Sequence, residues 1–406
     1  MSATGAHGTA AHAPRPSSAP PRVALIGTGG YGRVYLDLLL GLHARAEIEL
    51  TAATVINAAE EAPAIAQLVA LGCEIFPDAP AMFAAHTGRL ALCCIPTGIP
   101  SHAPLTIAAL QAGANVLVEK PLAGSAADAR AIQAAERASG RFVAVGFQDI
   151  WSPETLWLKH QILAGRIGPL RTIRFIGQWP RPASYYTRNG WAGALTRDGR
   201  AVFDSPLNNA FAHFAHLALF LAGPAPTAAA APERIAAELW RAHGIESCDT
   251  AFVRAHLAGG AVLFCGATHA SRKARDPEIF LEGPGGRIHW HYERAITVES
   301  VGTAPEVRPL PTAMEARGSM FAGVLQRLHD PAALICDTAS AAQHVALVAG
   351  MHAAAPITDV PAENVTWITP PGESARLPCI HDIERTLGQA WKHLALPREL
   401  ARPLVV

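Results

Sequence analysis

The segment Asn115-Val116-Leu117-Val118-Glu119-Lys120-Pro121 ends an apolar run on two charges and a proline. Asn115 to Val118 read as a buried strand, so Glu119 and Lys120 stand where that strand leaves its sheet. A lysine in a partly dry site loses proton affinity and can shuttle protons. A solvent-facing lysine at a helix entrance would look the same in sequence. Pro121 fixes the backbone beyond it, and an X–Pro bond is free to be cis. A second group lies between residues 179 and 197. There Trp179, Tyr185, Tyr186 and Trp191 mix with Arg181, Arg188, Asn189 and Arg197. Aromatic faces stack on sugar C–H groups, while guanidinium and amide groups meet hydroxyls or a carboxylate. The mixture suits a wall for a polyhydroxylated ligand, or a subunit interface, where the same residue types concentrate.

The elements that would position these groups read as alternating strands and helices. Val23 to Ile26 is apolar, the loop Gly27-Thr28-Gly29-Gly30-Tyr31-Gly32 follows, and a helical pattern continues through Tyr35, Leu38, Leu39 and Leu42. Glycines at GxGxxG spacing between a strand and a helix are the setting of a dinucleotide site. There the helix N-terminus offers free N–H groups to a pyrophosphate. Strands are then expected at 47–55, 73–76, 90–95, 115–118 and 142–146, with helices at 63–71, 80–85, 102–112 and 125–139. Ser125 is placed as an N-cap and Gly140 as a helix stop. Apolar strands between helices predict a doubly wound parallel sheet over about residues 22–148. Lys120 would lie on the edge of that sheet that carries the glycine loop, toward the ring end of a bound dinucleotide.

The chain has 406 residues, enough for two domains. Its 33 Lys and Arg balance its 33 Asp and Glu, so no overall field would draw nucleic acid or an anionic membrane. Seven cysteines without a CxxC pair suit reduced, buried thiols and a cytoplasmic location. His289 and His291 would share one face of a strand, as metal ligands do, but a plain strand is the reading adopted and no metal is expected. Residues 1–21 read as a disordered tail without signal-peptide character. No stretch reaches about 18 apolar residues, so no membrane span is expected.

In order and spacing, VALIGTGGYG, LCCIPTGIPSH, AALQAGANVLVEKPLAG, FVAVGFQ and LAGRIGPLRTIRFI resemble the Gfo/Idh/MocA family of oxidoreductases. The resemblance implies an α/β protein with a Rossmann domain at 22–148. A C-terminal α/β domain at 149–406 would carry a large, open, mostly antiparallel sheet that serves a homo-dimer or tetramer. It implies that Lys120 is the catalytic lysine and that Pro96 and Thr97 line the nicotinamide side. Glu119 and His102 would lie nearby, as ligand contacts or as orienting bonds within the loop. Where the family often carries an acid after the second strand, TAATVINAAEE places Val55 or Ile56, and Asn57 could meet a ribose hydroxyl. NAD and NADP both stay open, with a lean to NAD.

The family's second motif, Asp-x-Gly-x-His-x-x-Asp, corresponds to a region with two registers. Counting from Asp204 puts Asn208 at the histidine. Counting back from Gly223 puts His213 there, with Asn209 at the first Asp and His216 at the last, and this register keeps the helix length. Asn209, His213 and His216 would then share one helical face. A histidine suits taking a proton from a hydroxyl as hydride leaves its carbon, and Asn209 could orient the ring. Arg181, Tyr185, Tyr186, Asn189, Trp191, Asp204 and His216 are the expected substrate side. The expected function is hydride transfer between NAD(P) and a hydroxyl carbon of a sugar, polyol or derivative. Alternatives are an enzyme that retains NAD while it eliminates or hydrolyses at a neighbouring bond, and a non-catalytic dinucleotide sensor.

Overall fold

The computed structural model describes residues 19–400 apart from 370, 371 and 373, so most of the expected tail lies outside the described residues. The first layer runs β1 (Arg22–Ile26), α1 (Gly32–Ala44), β2 (Glu49–Thr54), α2 (Ala62–Ala70), β3 (Glu74–Phe76) and α3 (Ala79–His86). It continues through β4 (Leu92–Ile95), α4 (Ile99–Gln111), β5 (Asn115–Val118), α5 (Ala126–Ser139) and β6 (Val143–Val145). All six strands are parallel, in the order β3-β2-β1-β4-β5-β6. The order reverses between β1 and β4, and ligands of such sheets bind beyond the strand ends at that point. Val23, Leu25, Leu92, Val116 and Leu117 have no exposed surface, as expected for strands covered on both faces. Burying each such side chain contributes about 1.5–3 kcal/mol.

Helix α4 begins at Ile99, three residues before the expected His102. Pro100 falls in its first turn, where a missing N–H costs nothing. Ser125 does cap α5, accepting from the Asp128 N–H, and Gly140 ends it at φ +65°.

The chain then forms a turn at Gln148–Trp151, α6 (Pro153–Leu163), β7 (Thr172–Gln178), the small hairpin β8 (Thr196–Arg197) and β9 (Arg200–Ala201), and α7 (Ala212–Ala222). Strands β10 (Pro232–Arg241), β11 (Thr250–Leu257), β12 (Val262–Thr268), β13 (Arg275–Gly283), β14 (Gly286–His291), β15 (Ala295–Ser300) and β16 (Glu306–Pro309) follow. After α8 (Ala313–Arg327) and α9 (Thr338–Ala354) come β17 (Ile357–Asp359), β18 (Val365–Ile368), β19 (Leu377–Ile380) and α10 (Ile383–His393). The second sheet has nine strands in the order β16-β15-β14-β13-β7-β12-β11-β10-β17. Only β12–β7 and β10–β17 pair in parallel. One sheet face packs Ile279, Leu281, Ile288 and Trp290 into the main core, and α10 covers part of the other through Ile383, Leu387 and Ala390.

Helices α8 and α9 return to the first layer. Arg317 on α8 donates to the Tyr31 hydroxyl at 2.8 Å and to Gln148 Oε1 at 3.1 Å. Thr338 on α9 donates to Glu136 on α5, and the Val145 N–H reaches the Cys336 carbonyl at 2.9 Å. No helix among the described residues is long and apolar enough to cross a membrane.

Candidate active site

The loop after β5 is held from three sides. Glu119 is buried, with Oε1 accepting from the Tyr35 hydroxyl at 2.9 Å and Oε2 from the Lys120 N–H at 3.0 Å. His102 is fully buried, its Nδ1 2.7 Å from the Pro121 carbonyl and its Nε2 3.0 Å from that of Thr97. Burial keeps this ring neutral, so it has one N–H for the two carbonyls. Of the two roles open to Glu119 and His102, the geometry is that of orienting bonds: their polar atoms are engaged within the loop. The Lys120–Pro121 peptide is cis. Burial lowers the proton affinity of the Lys120 amine, against the pull of Glu119 and Asp204.

Across the crevice Lys120 Nζ donates to the Asn209 carbonyl at 2.9 Å and approaches its Oδ1 at 3.3 Å. Asn209 Nδ2 donates to Asp204 Oδ1 at 2.8 Å, and Asp204 Oδ2 accepts the Gly193 N–H at 2.6 Å. Burial raises the Asp204 carboxyl. Asn208 instead donates to the buried Val202 carbonyl, which leaves Asn209 as the residue that meets Lys120. The expected single helical face needs correction. Residues 205–211 form tight turns, with the Asn209 N–H on the Ser205 carbonyl, and α7 starts only at Ala212. Asn209 therefore meets Lys120 from a turn, while His213 stands in the first turn of α7.

His216 is also corrected. It is fully buried, stacked on Phe147 with ring centroids 4.0 Å apart, and its Nε2 lies 3.3 Å from Ser340 Oγ. It belongs to the core between α7 and α9, away from the crevice. His213 is close enough to Lys120 and Arg317 for their charges to add to burial in holding its proton affinity well below the usual imidazole range. A residue not anticipated from sequence, Asp149, places Oδ2 3.5 Å from His213 Nδ1. Buried Lys159 anchors the far end of α7, donating to the carbonyls of Phe220, Gly223 and Ala228.

At the glycine loop, Gly27 has φ +89°, and a side chain at Gly32 would place Cβ 2.5 Å from the Gly27 carbonyl. No side chain caps α1; its first N–H groups, on Gly32, Arg33 and Val34, bond instead to the loop carbonyls of Gly29, Gly30 and Tyr31. An acid after β2 does exist. Glu61, the N-cap residue of α2, accepts from the Thr28 hydroxyl at 3.1 Å. A Cβ on Gly29 would lie 2.6 Å from its Oε1. Asn57 is exposed and donates to Glu60, beside the same glycine. Gly30 adds only a turn, at φ +55°, and Tyr31 is tied to Arg317. Pro96 and Thr97 precede α4, with Pro96 beside Gly32 and Thr97 beside Gly27.

The loop at 179–201 lies over this crevice. Two glycines seat it on the first layer: a Cβ at Gly98 would meet Trp191 Nε1 at 2.5 Å, and one at Gly124 would meet the Ala201 carbonyl at 1.8 Å. The Arg188 guanidinium stacks on Tyr185 at 3.6 Å, faces Trp191 at 5.6 Å and stands 4.0 Å from Asp204. Arg181 stacks on Tyr185 at 4.9 Å. Two expected contacts are otherwise engaged. Asn189 Oδ1 accepts the Trp191 and Ala192 N–H groups as a turn former, and Tyr186 packs against His243 with ring centroids 4.7 Å apart. Elsewhere Glu278 joins His289 and His291, their ligand atoms within 4.8 Å of one another. Glu278 there accepts from Arg275 and pairs with His289 at 2.8 Å.

Residues 21–147 match the oxidoreductase family with an NAD-binding Rossmann fold, GFO_IDH_MocA. An inositol 2-dehydrogenase of Pseudomonas savastanoi pv. phaseolicola is 34% identical over 170 residues, 41% of this chain and 48% of that protein. One from Corynebacterium glutamicum is 29% identical over 173 residues, again 41% and 48%. The chain thus spans about half the length of the curated relatives it matches. A levoglucosan dehydrogenase solved with NADH and levoglucosan superposes with a TM-score of 0.70 at 18% identity, covering 82% of this chain and 97% of that one. The WlbA dehydrogenase of Bordetella pertussis, solved with NADH and UDP-GlcNAcA, gives 0.67 at 21% identity, covering 82% and 96%. The likeness to the Gfo/Idh/MocA oxidoreductases is thus carried in sequence by the nucleotide-binding layer and, over most of the chain, by the fold.

Proposed function

We propose that the chain is an NAD-dependent dehydrogenase acting on a hydroxyl carbon of a sugar or cyclic polyol. The observation that carries this is the meeting of Lys120 and Asn209 from separate layers, in a crevice that also holds His213. The loop from Gly27 to Gly32 would hold the dinucleotide, with Pro96 and Thr97 on its nicotinamide side. NAD, when bound, supplies the hydride acceptor.

This chain's residues supply the rest. Lys120, its proton affinity lowered by burial, donates to the substrate oxygen and fixes its position. His213, kept neutral, is ready to take the hydroxyl proton. Arg188, stacked on Tyr185 and facing Trp191 beside Asp204, forms a wall for the substrate's hydroxyls. Glu61 beside Gly29 favours ribose hydroxyls, which donate to it, over a 2′-phosphate, which it repels. The inositol and levoglucosan dehydrogenases among the similar proteins support a ring-shaped, polyhydroxylated substrate.

The test is NADH formation by the full chain with NAD and a panel of sugars and cyclic polyols. Turnover on at least one is expected. Lys120→Met should lower kcat by roughly 10²–10⁴-fold, with NAD binding retained by calorimetry. Turnover indifferent to Lys120 would refute the assignment.

A further inference from the structure

We propose that Asp149, from the turn after β6, is the carboxylate that orients His213 and stabilises its protonated form, the part that Asn209 cannot play. The proposal deepens the dehydrogenase reading and rests on it. The two side chains come from separate elements, Asp149 from the turn that follows β6 and His213 from the first turn of α7. Oδ2 lies 3.5 Å from Nδ1, and the side chains are only 10% and 12% exposed. His213 Nδ1 is buried and has no hydrogen-bond partner within ordinary reach. A loose pairing of this kind tightens when a ligand closes the site. Phe147 holds the ring edge-on, with centroids 6.0 Å apart.

With Nδ1–H directed at Asp149, the Nε2 lone pair is left to receive the substrate's proton. In that step the substrate O–H bond breaks and an Nε2–H bond forms. The imidazolium then faces a carboxylate on its other side, as in other histidine–carboxylate pairs. Behind Asp149 a small cavity lined by Ser152, Thr155, Tyr292 and Glu293 adjoins the carboxyl.

The charges around the pair set its pH behaviour. His213 faces Lys120 from β5, Arg317 from α8, His216 from its own helix and His344 from α9, all of which oppose its protonation as burial does. Asp149 faces Arg317 and Glu293, with Tyr31 and Tyr292 beside it, and burial pushes its carboxyl up to about 7. Below that pH both groups are neutral. Above it the carboxylate forms and can support the imidazolium, so turnover in the oxidative direction should rise as pH passes about 7.

The experiment is a pH titration of the full chain without cofactor, carrying ¹⁵N-labelled histidine, with Asp149→Asn and Asp149→Glu alongside. The His213 signals of the native protein should shift with a midpoint near 7. Asp149→Asn should abolish that shift, and Asp149→Glu should retain one. A His213 response that is flat in the native protein, or unchanged in Asp149→Asn, overturns the pairing. Should Asp149→Asn not fold, the native titration decides alone. With NAD and substrate, kcat of Asp149→Asn at pH 8 should fall roughly 10²-fold, lose its rise with pH and keep its KM. A native protein with the His213 shift and no turnover on any sugar would sink the dehydrogenase reading and leave the pairing standing.

Discussion

Asp149→Asn should stabilise the folded protein above neutral pH while it damages turnover. Burial raises the Asp149 carboxyl from 3.8 to about 7. An acid raised on folding favours the protonated form. Its contribution to stability is complete below about 3.8, declines as pH rises toward about 7, and is constant beyond. At ~1.4 kcal/mol per pH unit, the whole interval is worth about 4 kcal/mol. Between pH 5 and pH 8 only the part from 5 to 7 is crossed, about 3 kcal/mol. Asparagine has nearly the same shape and no charge to desolvate. Relative to the native protein, Asp149→Asn should therefore gain about 3 kcal/mol on going from pH 5 to pH 8. Urea unfolding of both proteins at the two pH values measures this directly. A difference between them that does not change with pH would show that Asp149 is not a buried acid of raised affinity, and the reasoning would fail.

Two further outcomes follow from the site. Glu61→Ser removes the carboxylate beside Gly29, so calorimetry on the cofactor-free protein should show the NADP-to-NAD affinity ratio rising about ten-fold, as expected for one repulsion at partial exposure; an unchanged ratio would remove Glu61 from cofactor choice. Asn209→Asp restores the residue type common in the family motif, yet kcat should fall rather than rise, because the new carboxylate would sit about where Asn209 Nδ2 now meets Asp204; a gain in kcat would contradict this.

Much of the first layer is legible because its signals are local. The strand at Asn115–Val118 has the bounds read from its apolar run, and Ser125 and Gly140 mark their helix ends by chemistry carried within a few residues. Lys120 is legible for the same reason: a strand's end and the residue after it are adjacent in sequence. Asp149, Glu61 and Arg317 are not, since each acquires its role from residues 33 to 286 positions away and sits in no periodic pattern. The sequence does carry a signal for His216. The run from Phe214 to Leu221 is apolar all round, and a helix of that kind lies in the core, where a histidine packs rather than reaches a ligand. The separation of Asn209 from His213 was hidden because spacing of four reads as a helical face whether or not the helix has begun.

The asparagine at 209 follows from its neighbour. Asp204 is pinned by the Gly193 N–H and lies 2.8 Å from Asn209 Nδ2, so its carboxylate already supplies negative charge beside Lys120. Two carboxylates at that separation cannot both ionise, and one would hold a proton through neutral pH. An amide avoids the conflict: its Nδ2 donates to Asp204 while its Oδ1, beside the residue's backbone carbonyl, faces the lysine. The charge is thereby moved five residues back along the chain, and the imidazole at 213 is left without a carboxylate from its own motif. Asp149 is the carboxylate that reaches it, from the turn that follows the parallel sheet. The lysine's partner comes from the layer opposite its own, so that half of the site is complete only when the two layers are closed on one another.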